Sequence, residues 1–537
     1  MISVQQIILP INHTKNELQK KIAAILCLTL EQVKDYVVTK RAIDSRVKAK
    51  MIYFVYSVEI LIDNEILVLE NKAVKKNIIP YRIVIKEPYV YEILKINKTK
   101  IGSRPIVVGT GPCGLFSALI LAKAGMKPLV IERGGDVDTR IKDVETFLST
   151  GKLNIKSNIQ FGEGGAGTFS DGKLNTLITN PRIKYIFDEF VKAGAPDSIL
   201  YDAQPHIGTD KIRNVAKNIR KQIEDLGGTV RFDTKLTDIN IKNNKISSII
   251  LNDMEEIETD TLVLAIGYSA RDTYEMLYKK KLNMEQKPFS IGVRIEHKAE
   301  MINQSQYGKF YNNKKLGSAR YKLVSHSDKN RSVYTFCMCP GGFVMPSSSE
   351  EGVVVTNGMS EYSRDGENSN SALLVNVATK DFASDHALAG MEFQRILERK
   401  AFDLGGRNYY APVQLVGDFL ENKKSTKIQS ISPSYKPGVR FVRLDECLPD
   451  FVADSLRDAL PKLDLKIKGF AHPDAVLTAI ETRSSSPLRI KRDEVQMQSN
   501  IIGIYPAGEG AGYAGGIVSS AVDGMKVSEA IIQYKMQ

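Results

Sequence analysis

The chain has 537 residues, 43% of them hydrophobic and 25% charged, the balance of a soluble globular protein too long for one ordinary core. Its net charge is +12, and residues 1–100 contribute +7 of that, with 17 Lys and Arg against 10 Asp and Glu. Five scattered cysteines make a poor disulfide framework, no His/Cys cluster has zinc spacing, and the apolar run over 113–122 is about half of a membrane span. The first 13 residues lack the basic opening of a signal peptide, so a cytoplasmic protein with no metal centre is expected.

In chain order, residues 1–96 predict a small basic α+β domain of ferredoxin-like type. Its strands fall over 4–9, 52–62 and 81–85, and its helices over 15–28 and 71–76. The charged stretch from Lys40 to Arg46 reads as a solvated loop, with a contact surface as the alternative. The domain's positive charge leaves open a docking role toward RNA.

The nucleotide unit starts near Arg104. An apolar strand runs into Gly109-Thr110-Gly111-Pro112-Cys113-Gly114, an apolar helix follows, and a second strand over 128–131 ends in Glu132 and Arg133. Gly109 permits the sharp turn, Gly111 lets the backbone approach a pyrophosphate, and Gly114 lets the helix pack close to the sheet. The helix N-terminus offers free N–H groups and a positive dipole end to phosphates. Glu132, 23 positions after Gly109, is suited to accept hydrogen bonds from a ribose diol.

A second glycine-rich stretch covers 161–175. Gly164, Gly165, Gly167, Ser170 and Asp171 form an amide-lined concavity there, and Lys173 offers a cation to a flavin or a substrate carboxylate. A helix over 210–226, a meander of short strands over 229–258 and a last apolar strand ending in Ala265-Ile266-Gly267 then return the chain to the central sheet. From Lys287 to about Ala475 the texture is mixed. It contains no second glycine-turn unit for a nicotinamide nucleotide, so such a reductant, NADH or NADPH, would bind transiently.

Near the C-terminus, Gly508-Glu509-Gly510-Ala511-Gly512-Tyr513-Ala514-Gly515-Gly516 precedes a helix that begins at Ile517. Glu509 is placed to accept from sugar-alcohol hydroxyls. The helix dipole would stabilise negative charge at the pyrimidine edge of a flavin.

Taken together, these loops make the chain resemble the bacterial FAD-dependent dehydrogenase (NAD/FAD-utilizing dehydrogenase) family of the glutathione reductase-like flavoprotein superfamily. The resemblance also covers Ala265 to Asp272, Gly292 to His297, Cys337 to Gly342 and Glu481 to Pro487. It implies non-covalent FAD and no particular substrate. Glu509 stands where aspartate is common in the wider superfamily.

The implied fold is α/β. An FAD-binding Rossmann-like domain (97–286 and 476–537) holds an inserted mixed α+β substrate domain (287–475) and follows the N-terminal domain. Three places are candidates for catalysis. Cys337 and Cys339, sharing a strand face, are either a redox pair or buried thiols. Arg294, as a carboxylate binder, stands with Glu296 and with His297 as proton donor; an internal ion pair is the bland alternative. Arg483 is the third, lining the cavity from a polar loop. An FAD-dependent oxidoreductase acting on a small organic substrate is expected, with an RNA-modifying or RNA-binding flavoprotein as the alternative; the oligomeric state is left open.

Overall fold

The computed structural model describes residues 1–33, 35–46, 50–87, 89–96, 103–328 and 330–536. The first unit comprises β1 (Ile2–Pro10), α1 (Lys15–Leu26), β2 (Tyr36–Asp44), β3 (Tyr53–Ile60), α2 (Glu65–Glu70), α3 (Lys72–Tyr81) and β4 (Val84–Ile85). Its strands form an antiparallel sheet in the order β2–β3–β1–β4. Thr14 and Glu17 start α1 with a reciprocal capping box, and Cys27 ends it in a left-handed conformation. The expected solvated loop from Lys40 is instead mostly strand. A polar edge strand lacks the apolar alternation that marks a half-buried one, and β2 gains its second partner from far along the chain. Arg41 N–H donates to Tyr201 O at 2.6 Å, and Ala203 N–H donates to Arg41 O at 2.9 Å. The expected boundary at 96/97 adjoins residues outside the described set.

Next come β5 (Ile106–Val108), α4 (Pro112–Lys123), β6 (Leu129–Ile131), α5 (Val137–Thr150), α6 (Arg182–Lys192), α7 (Thr209–Asp225) and β7 (Thr229–Arg231). The meander β8 (Leu236–Lys242), β9 (Lys245–Leu251) and β10 (Glu255–Glu258) leads to β11 (Leu262–Leu264), α8 (Arg271–Lys279) and β12 (Met284–Gln286).

The third stretch contains β13 (Phe289–Lys298), α9 (Ala299–Tyr307), β14 (Val324–His326), β15 (Ser332–Cys339), β16 (Phe343–Pro346), β17 (Thr356–Met359) and β18 (Asn368–Val377). It continues through α10 (Ala389–Gly405), β19 (Ala411–Leu415), α11 (Val416–Leu420), β20 (Val439–Phe441), α12 (Asp450–Asp464) and β21 (Val476–Glu481). The chain closes with β22 (Leu488–Ile490), β23 (Ile504–Pro506) and α13 (Ile517–Met536).

A five-stranded parallel sheet, β23–β11–β5–β6–β7, forms the centre. Its middle strands are short, apolar and buried, as strands covered on both faces must be. Helix α4 is buried from Cys113 to Ala122 because α13 lies on it, with the Ser117 and Ser528 hydroxyls 2.8 Å apart. Gly524 permits that approach, since a Cβ there would stand 2.2 Å from Cys113 O.

The inserted region builds a seven-stranded sheet, β14–β15–β18–β13–β21–β19–β20. The division expected at 475/476 falls inside this sheet, where β21 is hydrogen-bonded between β13 and β19.

Candidate functional site

The cradle is built from three glycine-bearing segments held in mutual contact. Gly109 sits at φ +101°, and a Cβ there would stand 2.4 Å from Ala265 O; one at Gly114 would stand 1.9 Å from Gly109 O. These two glycines let the turn, the helix and the end of β11 pack. A Cβ at Gly111 would have nothing nearer than Gly165 Cα at 3.9 Å, so its missing side chain keeps the backbone open. Gly164 N–H donates to Thr110 O at 3.0 Å, and Gly167 faces Ile517 at the start of α13. Gly510 rests on the Gly267 backbone, and the Tyr274 hydroxyl donates to Gly510 O at 2.6 Å and Gly267 O at 3.2 Å. Gly508 donates its N–H to Asp523, and Gly512 closes the loop onto Glu509 O. Gly515 and Gly516 face open space.

Glu132 departs from expectation. Its Oε2 accepts from Thr110 N–H and Oγ, and its Oε1 from the N–H groups of Gly134 and Gly162, all within 2.8–3.0 Å. A carboxylate has about four acceptor positions, and here they clamp the first glycine turn to the second loop. Arg133 is likewise engaged, forked onto Asp272 at 3.0 and 2.7 Å and stacked over the Phe161 ring. Ser170 Oγ is used inside its loop, donating to Gly167 O and accepting from Gly172 N–H. Arg140, fully buried and not anticipated from sequence, donates to the carbonyls of Asn158, Ile159, Gly162 and Glu163 and so fixes the loop from below.

Lys173, Tyr268 and Glu509 are half-buried and Cys337 is exposed, and the open space at Gly111, Gly515 and Gly516 marks a cleft between the glycine loops. Burial pushes the Glu509 carboxyl up to about 7, against the lowering effect of the Gly516 N–H and Lys287. Burial pushes the Tyr268 phenol up, with Glu509 adding to it and Arg483 opposing, and its hydroxyl has no hydrogen-bond partner among the described residues. Burial lowers Lys173, but Asp171 and then Cys339 and Cys337 outweigh it and the ammonium ends raised. Asp171 is pushed up by burial and pulled further down, to about 2, by Lys173 and Arg364.

The catalytic candidates separate. Cys337 and Cys339 are free thiols and do not share a face: the register of β15 slips between Phe336 and Cys339, and Cys337 takes φ +41°. Cys337 is accessible, while Cys339 is buried with its Sγ 3.7 Å from both Lys173 Nζ and the Arg294 guanidinium. Burial pushes the Cys337 thiol up to about 12.

Arg294 does form an internal ion pair, with Glu481 at 3.2 Å, and it also donates to Asn370 and to Cys337 O. Glu296, two residues on, accepts from Ser434 and Asn368 instead. His297 points away from the cleft: it is fully buried, its Nε2 is 2.7 Å from Phe470 O, and burial pulls it down to about 4. It therefore cannot serve as the proton donor. Arg483 is buried as well, forked onto Glu398 at 3.0 and 2.8 Å and donating to Ser269 and Ser349, so four of its five N–H donors are engaged within the protein.

The arrangement fits a flavin dinucleotide. An open glycine turn lies at a helix N-terminus, a second amide-rich loop is clamped to it, and a carboxylate with spare acceptor capacity stands before the N-terminus of α13. Residues 288–484 match the model described as "FAD-dependent protein, C-terminal domain-like", and residues 1–61 match a domain of unknown function. An uncharacterised protein of Clostridium beijerinckii is 49% identical over 533 residues, covering 99% of this chain and 98% of that one.

Among solved structures, a mutant of the halogenase PltM in complex with FAD aligns at TM-score 0.37 and 8% identity, over 80% of this chain and 69% of that one. L-proline dehydrogenase from P. horikoshii aligns at TM-score 0.35 and 12% identity, over 80% and 94%. The chain belongs to one family with the Clostridium beijerinckii protein, and FAD is its cofactor.

Proposed function

We propose that the protein is an FAD-dependent oxidoreductase acting on a small organic substrate, with the FAD held non-covalently. The observation that carries this reading is the cleft between the three glycine loops, where Gly109 and Gly114 are packed against backbone while Gly111, Gly515 and Gly516 leave theirs open, with Glu509 beside them. FAD supplies the ring that takes up and returns hydride or electrons.

The chain supplies position and charge. Gly111 and the first turn of α4 would hold the pyrophosphate, and the amides of Gly164, Gly165 and Gly167 would line the ring side. Glu509 would accept from the hydroxyls of the ribityl chain. The N-terminus of α13 would favour negative charge at the pyrimidine edge. Just after the end of β11, the Tyr268 hydroxyl holds a proton it can donate. A Cys337 thiol held up at about 12 stays protonated at neutral pH, which suits a packing or donor group better than an electron relay. We assign the turn and the C-terminal loop to one cofactor domain, the seven-stranded sheet to a substrate domain, and residues 1–96 to a ferredoxin-like domain on the strength of its strand order.

No observation favours the RNA alternative. Arg41 of the basic stretch is spent on Asp202 at 2.8 Å and on the Tyr201 ring, and Arg46 pairs with Asp44. The test is flavin content. Purified protein is expected to be yellow, and Gly111→Val, which fills open space rather than packed backbone, is expected to be folded and colourless. A folded Gly111→Val protein with full flavin content would overturn the assignment. Anaerobic titration of the yellow protein with NADH and NADPH then identifies the reductant.

A further inference from the structure

We propose that a basic ridge where the N-terminal unit meets the insert is the docking surface for a small acidic electron-carrier protein. The proposal rests on the reading above, that the chain is a flavin oxidoreductase. Residues 301–327 hold five Lys and Arg residues and no Asp or Glu. Lys309, Lys314 and Lys322 of this run are exposed and have no hydrogen-bond or carboxylate partner among the described residues. Two contacts fix where the run lies. Lys315 Nζ donates to Ile11 O at 3.3 Å and Ile11 N–H donates to Ile52 O at 3.1 Å, which brings the run beside the exposed Lys50. Arg320 donates to Gln204 O and meets His206 Nδ1 at 3.3 Å. Two residues before Gln204, Asp202 holds Arg41 of β2, next to the exposed Lys40. Cations from two remote stretches thus border one strip, residues 201–206. The acids of the same stretches are engaged, Asp202 by Arg41 and Asp44 by Arg46. Glu300 and Asp365 border the run, while Asp210 and Glu361 lie past His206 and are offset by Lys211 and Arg213. The ridge stays net positive.

Position says what a partner seated there would do. The strip runs on into the second glycine loop: Leu174 N–H donates to Pro205 O and Ile207 N–H to Gly172 O, both at 3.0 Å, and Lys173 bridges to His206. Asp202 and His206 are four residues apart, a reach of at most about 14 Å. A carrier resting on Arg41 and Arg320 therefore stands close to the loop that lines the ring side in the reading above. The sequence has no second glycine-turn unit for a nicotinamide nucleotide, and electrons arriving through protein contact fit such a chain. Two reduced carriers each give up one electron, and the cofactor takes the pair with two protons from solvent. The free cations are lysines, hydrated point charges that suit fast, salt-sensitive encounters, and the interfaces of electron carriers are small and transient. RNA fits less well, because Arg41 and Arg46, whose guanidiniums are shaped to fork phosphates, are held by Asp202 and Asp44.

The experiment is anaerobic reduction of the purified full-length protein, its flavin content measured first, by a reduced acidic plant-type ferredoxin. Reduced methyl viologen serves as the small carrier that needs no docking. Ferredoxin is expected to bleach the flavin with a rate constant that falls about tenfold or more between about 20 and about 300 mM NaCl, as screening shortens the reach of surface charge. The triple variant Lys309→Glu, Lys314→Glu, Lys322→Glu should lose about tenfold or more of that rate constant, with flavin content and the viologen rate unchanged. A ferredoxin rate indifferent to salt, a triple variant as fast as wild type, or tighter binding of a short single-stranded RNA than of ferredoxin would each overturn the proposal. The salt dependence of the wild type needs no variant to fold. A yellow protein that viologen reduces and ferredoxin does not removes the docking surface alone; a colourless protein removes the flavin reading and the proposal with it.

Discussion

Glu509 accepts one internal hydrogen bond, from Gly516 N–H at 3.3 Å, and burial raises its carboxyl to about 7. A carboxyl whose folded value lies above its unfolded one binds more protons when folded. Its ionisation therefore costs stability as pH rises through the window from about 4.5 to about 7. The cost is at most about 3 kcal/mol, and water in the cleft reduces it. Flavin-free protein is thus expected to melt lower at pH 8 than at pH 5, and Glu509→Gln to flatten that dependence. Equal pH slopes in wild type and variant would remove Glu509 from the account. Sugar hydroxyls donated to Glu509 would favour its charged form, so FAD should weaken the same dependence.

At the scale of elements, the cleft depends on clasps that bring remote segments together. Glu398 on α10 is fully buried and takes both Arg271 at the start of α8 and Arg483 after β21. The charge of Glu350 reaches Arg271 at 2.6 Å and Arg483 only at 3.9 Å. Removing the Glu398 charge leaves two buried guanidiniums sharing one partly exposed carboxylate. Glu398→Gln is expected to cost about 3–5 kcal/mol, read as a lowered denaturation midpoint in urea. An unchanged midpoint would show that the cluster is dispensable for folding. Glu132 and Arg140 act in the same way at the other end, one clamping the two glycine loops and the other holding carbonyls of the second loop.

These clasps mark where sequence reasoning stops. Gly109, Gly114, Gly508 and Gly516 stand where a left-handed backbone or a contact below van der Waals distance admits only glycine, and Gly111 where the backbone has to stay open; the glycine spacing that marks them is visible in the local string. Arg483 and His297 read as site residues because their types suit chemistry. Their partners, Glu398 and Phe470, lie 85 and 173 positions away, and no local pattern announces them. Tyr268 falls inside a stretch already singled out, but only its depth, its free hydroxyl and its neighbours distinguish it from a surface tyrosine.

At the scale of the whole molecule, one site draws on residues from Gly109 to Ile517, so ligand binding reports on the entire fold. FAD that binds only the folded chain should stabilise it by about 2.7 kcal/mol at a free concentration one hundred times its Kd. Thermal unfolding is expected to shift upward with added FAD in wild type and to stay put in Gly111→Val. A shift in that variant equal to wild type would move the pyrophosphate site elsewhere.

The amino-acid sequence by itself determined the parallel-sheet unit, the three glycine loops and hence the cofactor, because periodicity, turns and obligatory glycines are set within a few residues. Only the tertiary structure decided that β21 belongs to the insert's sheet, that Glu132 and Arg483 are structural clasps, and that Cys337 is accessible while Cys339 is buried against Lys173 and Arg294. Those outcomes depend on which distant charges and hydrogen-bond donors end up adjacent, and burial makes each such pairing nearly compulsory once the chain has folded.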